Sequence, residues 1–150
     1  MSGRRILIIG YGNPGRGDDG LGPALAERLE SMNLPGVTVE SDYQLTVEHS
    51  AMAAENDIVV FADAAVDADS PYYFRTVAAA ASDQYSSHSV TPGEVLLLAR
   101  RCFRAVPEAY VLGIRAHAID GFGEGLSADA EAGLESALQF LLEFIAARTA

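Results

Sequence analysis

Two hydrophobic periods alternate along the chain. The run 5–10 is apolar after its first residue and closes on glycine, which is the pattern of a strand buried on both faces of a parallel sheet. Residues 37–41 form a short β-branched run of the same kind, and 57–64, "DIVVFADA", leads five apolar residues into Asp63. Segments 72–77 and 109–116 are further strand candidates, the first of them half polar and so expected at an edge. Between these runs the period lengthens. Leu21, Leu25, Leu29 and Met32 recur at helical spacing, as do Val47, Ala51 and Ala54. Thr91-Pro92-Gly93-Glu94 combines an N-cap threonine, a proline at the first helical position and a capping-box glutamate, and predicts a helix through about Arg104. Ser127 opens a last helix striped by Leu134, Leu138, Leu141 and Ile145.

This alternation predicts an α/β fold: a single three-layer domain over 1–150, with a twisted, mainly parallel sheet of about five strands and helices on both faces. In such sheets ligands sit beyond the carboxyl ends of the strands. Four carboxylates are expected there. Asp18 and Asp19 follow the first strand through a glycine loop, Asp42 follows the second and Asp63 ends the third. His88, in "YSSHSV" just before the capped helix, is expected to approach the same edge.

Composition narrows the chemistry. Twenty-one acidic side chains against ten basic ones, all arginine, give a formal charge of −11, a field that repels polyanions, so neither nucleic acid nor an anionic membrane is expected as a partner. The apolar run after Arg4 and Arg5 is too short for a signal-peptide core, and no segment approaches a membrane span. One cysteine, Cys102, excludes an internal disulfide framework and a cysteine-only metal cluster, and fits a reducing cytoplasm. Its place among apolar helix positions suggests a core residue.

Each acid also has a structural reading. Asp18 or Asp19 suits the cap of a helix beginning near Gly20, and Asp63 suits the cap of a short helix after its strand. His49, His88 and His117 each read equally well as surface residues. In combination, two carboxylates and one imidazole suit zinc, nickel, manganese or iron(II), with the remaining positions filled by water or a partner.

Gly10, Gly12 and Gly15 spell G-x-G-x-x-G after the first strand. A dinucleotide loop, however, opens its helix at the third glycine so that free N–H groups meet the pyrophosphate. Here Arg16-Gly17-Asp18-Asp19-Gly20 intervenes, and two acids beside a pyrophosphate disfavour it. "GNPG" also resembles the start of peptidyl-tRNA hydrolase, but no histidine precedes His49.

Taken together, "ILIIGYGNPGRGDDGLG", "DIVVFADA" and the histidine of "SSHS" before a helix resemble the hydrogenase maturation peptidases, in that family's order and approximate spacing. The resemblance implies a cytoplasmic endopeptidase that removes a C-terminal extension from a nickel–iron hydrogenase large-subunit precursor after nickel insertion. It implies Asp19, Asp63 and His88 as the metal-binding trio, with nickel supplied by the precursor and none held tightly at rest. No Ser-His-Asp or Cys-His arrangement stands out as a nucleophile. Cleavage is therefore expected to use a water activated by a carboxylate such as Asp42 or by the metal. Tyr43, Gln44 and Leu45 are expected to face the substrate. The alternatives are a non-proteolytic metal-binding assembly chaperone and a doubly wound nucleotide-binding protein.

Overall fold

A computed structural model describes residues 3–81, 90–119, 123 and 125–149. Among these residues five strands, β1 (Ile6–Tyr11), β2 (Val37–Asp42), β3 (Ile58–Ala65), β4 (Tyr72–Thr76) and β5 (Glu108–Arg115), form one sheet in the order β2-β1-β3-β5-β4. The first four neighbours in that order run parallel and β4 pairs antiparallel to β5 at the edge. Among the described residues, four helices, α1 (Leu21–Glu30), α2 (His49–Ala54), α3 (Pro92–Phe103) and α4 (Ala128–Thr149), complete an α/β domain.

Alternation along the strands divides the core into two layers. Ile6, Ile8, Ile58, Val60, Leu112 and Ile114 face α1 and α4, while Leu7, Ile9, Val59 and Phe61 face α2 and α3. Every β1 position from Ile6 to Ile9 is fully buried, and each such side chain contributes about 1.5–3 kcal/mol by leaving water. The expected capping box is present: Glu94 N–H donates to Thr91 Oγ1 at 3.2 Å, and Thr91 N–H donates to Glu94 Oε1 at 3.0 Å. The apolar stripe of α4 is buried as its spacing requires.

Four local expectations fail, each for a tertiary reason. β2 resembles β1 in sequence but pairs only with β1, so it is half exposed along its length. α1 ends at Glu30, leaving Met32 outside it at the surface, and Val47 precedes α2 and is exposed. Cys102 lies on the outer side of α3 and is exposed.

The chain leaves β1 through α1 to β2 on one side of it and returns from β2 through α2 to β3 on the other. The chain therefore has a switch point between the carboxyl ends of β1 and β3, where an open α/β sheet forms its crevice.

Candidate functional site

The loop leaving β1 carries two neighbouring aspartates into opposite environments. It closes through a 3-10 turn, Gly17–Gly20, before α1 opens at Leu21. Three residues per turn point successive side chains about 120° apart. Asp18 turns inward and is fully buried. It accepts N–H donors from His117 at 2.7 Å, Ala118 at 2.8 Å and Ser127 at 2.7 Å, and the Ser127 hydroxyl at 2.8 Å. Burial alone would raise its pKa; these donors outweigh burial and hold it below the ordinary carboxylate range. Asp19 instead turns toward the switch point, its Oδ2 held by the Asn13 N–H at 2.8 Å. Neither aspartate caps α1, whose N-cap Gly20 has no side-chain partner.

The glycines serve this turn rather than a phosphate. Gly12 has a φ of +143°, and a side chain there would strike the carbonyl oxygen of Asp19. Because α1 opens well past Gly15 behind two acids, its N-terminus does not present the phosphate cradle of a dinucleotide site.

Asp63 lies near the end of β3. By the alternation of its strand it points to the α2–α3 face, as Tyr11 and Asp42 do from β1 and β2. Register makes these one lateral row: Asp42 pairs with Tyr11, Asp63 pairs with Gly113, and Gly113 pairs with Tyr73. Gly113 matters because the Tyr73 ring occupies the space its side chain would fill. Asp63 Oδ1 accepts the Ala64 N–H at 2.8 Å, and the Tyr11 hydroxyl donates to the same carboxylate. Burial pushes the Asp63 carboxyl from its ordinary value near 3.8 up to about 6, and the Asp19 charge pushes the same way against the two donors. Burial and the Asp63 charge raise the Tyr11 hydroxyl well above its usual range. Tyr73 is raised by burial, with Asp67 and Asp63 contributing.

Asp42 stands at the end of β2, about half exposed. Its carbonyl accepts the Gly12 N–H at 3.1 Å and its Oδ1 accepts the Tyr43 N–H at 2.9 Å. It lines a cavity of about 280 Å³ with Gly12, Pro14, Pro23, Ser41 and Tyr43. That cavity shares Pro14, Pro23 and Ser41 with a larger one of about 680 Å³ along α1.

Two of the expected trio, Asp19 and Asp63, are thus brought together, and His88 lies outside the described residues. Among the described residues, no group of three or more His, Cys, Asp or Glu side chains could hold a metal ion. Tyr43 and Gln44 are exposed. Leu45 is not: it is 1% exposed and packs with Ala53, Val95 and Leu96 between the sheet and α2–α3, so its side chain cannot meet a substrate. His49, read as a surface candidate, is 3% exposed, whereas His117 is exposed and gives its backbone N–H to Asp18. Sequence reasoning missed Tyr11 and Tyr73; the only signal for Tyr11 was an aromatic residue between Gly10 and Gly12.

No protein-family model matches the sequence, and no curated protein matches it either. Solved structures do match. The [NiFe] hydrogenase maturation protease HycI of Thermococcus kodakarensis superposes with a TM-score of 0.74 at 23% identity, over 94% of this chain and 92% of that one. The hydrogenase 2 maturation peptidase of Thaumarchaeota archaeon SCGC_AB-539-E09 gives 0.71 at 23% identity, over 95% and 99%. The hydrogenase maturating endopeptidase HybD of E. coli gives 0.70 at 24%, over 94% and 91%. The chain has the fold of the hydrogenase maturation peptidases. At these identities the likeness establishes the architecture, and function resides in the site rather than in the fold.

Proposed function

We propose that this chain is an endopeptidase that removes the C-terminal extension of a nickel–iron hydrogenase large-subunit precursor after nickel insertion, in a cytoplasmic setting. The observation that carries the reading is the pairing of Asp19 with a desolvated Asp63 at the β1/β3 switch point. Two carboxylates forced to repel each other in a crevice favour a proton or a cation between them. Backbone N–H groups fix one oxygen of each, which orients the pair toward a common ligand. Carboxylate oxygens suit a divalent transition metal, with His88 as the third donor under this reading. Nickel belongs to the precursor and serves as the recognition element, its remaining coordination supplied by the precursor's own side chains.

Asp42, across β1 from Asp63, is the proposed base that takes a proton from the attacking water. Neighbouring strands lie about 4.8 Å apart, so two strand spacings give roughly 10 Å between those backbones, room for a peptide segment between metal reader and base. Half-exposure and the adjoining cavity suit access by that segment. Tyr43, which lines that cavity, and the exposed Gln44 that follows it are proposed substrate contacts.

The test is mass spectrometry of a large-subunit precursor incubated with this protein, with and without nickel loading. Loss of a C-terminal peptide only from the nickel-loaded precursor, abolished by Asp63→Ala and His88→Ala, is the expected result. Cleavage indifferent to nickel would remove the recognition role, and binding without cleavage would leave an assembly chaperone.

A further inference from the structure

A buried histidine beside Asp42 has no part in the reading above. His49 opens α2 with its ring 3% exposed. The Thr46 N–H donates to His49 Nδ1 at 2.9 Å. A ring nitrogen that accepts a backbone N–H carries no proton of its own, so the ring's hydrogen sits on Nε2. Nε2 faces Asp42 Oδ2 at 3.9 Å.

We propose that His49 is the positioning residue for Asp42, its Nε2–H, fixed in tautomer by the Thr46 N–H, aimed at Asp42 Oδ2 to hold that carboxylate toward the substrate. This rests on the processing reading, in which Asp42 is the base. The asymmetry of the pair supports it. His49 is buried and held at Nδ1 by the Thr46 N–H, whereas Asp42 is about half exposed and has Oδ2 turned toward it. At 3.9 Å the contact is not a closed hydrogen bond. Bonds to catalytic carboxylates commonly tighten when substrate excludes water, and a turn of the Asp42 side chain closes the remaining distance. Asp42 Oδ1 is already pinned by the Tyr43 N–H. A second donor on Oδ2 fixes the carboxylate plane and leaves lone pairs on both oxygens for a water. The order of roles is that of a base oriented by a third group.

Two measurements test it. The first needs no precursor. ¹⁵N NMR of the His49 ring is expected to report the Nε2–H tautomer, and Asp42→Ala is expected to shift Nε2 while leaving Nδ1 and its Thr46 bond in place. A ring protonated on Nδ1, or an Nε2 signal indifferent to Asp42→Ala, overturns the proposal. The second is turnover of nickel-loaded precursor. His49→Leu is expected to lower kcat by about 10- to 100-fold with KM within about twofold, a fraction of what a general base contributes. His49→Gln, whose amide nitrogen reaches the place of Nε2, is expected to recover most of it, and His49→Leu is expected to add nothing on top of Asp42→Asn. Equal loss in Leu and Gln variants makes His49 structural and overturns the proposal. If wild-type protein fails to cleave, the processing reading falls, and the NMR result alone decides the contact.

Discussion

The seat of Asp18 and the crevice between β1 and β3 use the same functional group in opposite ways. Asp18 is surrounded by four donors from the β5–α4 connection, which stabilise its charge enough to hold it ionised in the interior. Asp63, near the end of β3, receives a backbone N–H and a tyrosine hydroxyl and confronts the carboxylate of Asp19. A carboxylate whose neighbours satisfy it belongs to the scaffold. One left short of donors beside a like charge stores a preference for a proton or a cation, and that preference is what a site needs.

The most severe way to break the contrast is Asp18→Ala. It leaves three backbone N–H groups without their acceptor and is expected to cost about 3–5 kcal/mol, read as a lower urea midpoint at unchanged slope. A loss under about 1 kcal/mol would mean that water replaces the carboxylate and that the seat is not structural.

Asp63→Asn is expected to act in the opposite direction and to stabilise the protein. Folded Asp63 takes up its proton near pH 6 and the unfolded chain only near 3.8. Between those values the folded state binds more protons, so wild-type stability falls as pH rises through the window. Asparagine does not titrate. The variant's advantage is therefore absent below about pH 4, grows toward pH 6 and levels off above it at about 1–3 kcal/mol. Thermal melts at pH 4 and pH 7.5 check this, and equal midpoint shifts at both would contradict it.

Ser127→Ala sharpens the comparison with the smallest change. It removes one of four donors to Asp18 and the oxygen that accepts the Ala130 N–H at the start of α4. The expected cost is about 1–2 kcal/mol, well short of Asp18→Ala because the three N–H donors remain. A cost equal to that of Asp18→Ala would place the seat's stability in the hydroxyl rather than in the backbone.

Much of the scaffold was legible because it is locally encoded. The buried runs of β1 and β3, the capping box of α3 and the stripe of α4 declare themselves within a dozen residues. Burial that depends on a distant partner was not legible. Leu45 is covered because residues of α2 and α3 pack over the segment that follows β2, and that segment reads locally as polar; His49, the first residue of α2, is buried with it. Cys102 fails in the reverse sense: its helix has the expected apolar face and presents the cysteine away from it. For the site, register explains why Asp42 and Asp63 share a row, which strand-end positions anticipated. Which of Asp18 and Asp19 turns inward was not legible in the residues themselves, since the deciding donors lie about a hundred residues away; the choice of Asp19 for the site came from the family resemblance alone.

That separation has a consequence for the order of assembly. The partners of Asp18 are 99, 100 and 109 residues further along the chain, so closing these contacts is among the longest-range events in the molecule and carries a correspondingly large loop entropy. During synthesis β1, β2 and β3 emerge and can pair while the glycine loop still lacks the groups that clamp it. Asp18 acquires its donors only after β5 has inserted and Ser127 has left the ribosome. A nascent chain stalled before His117 would thus carry β1, β2 and β3 with the Asp18 carboxylate still unsatisfied, and the clamp on the glycine loop would be among the last contacts the chain gains.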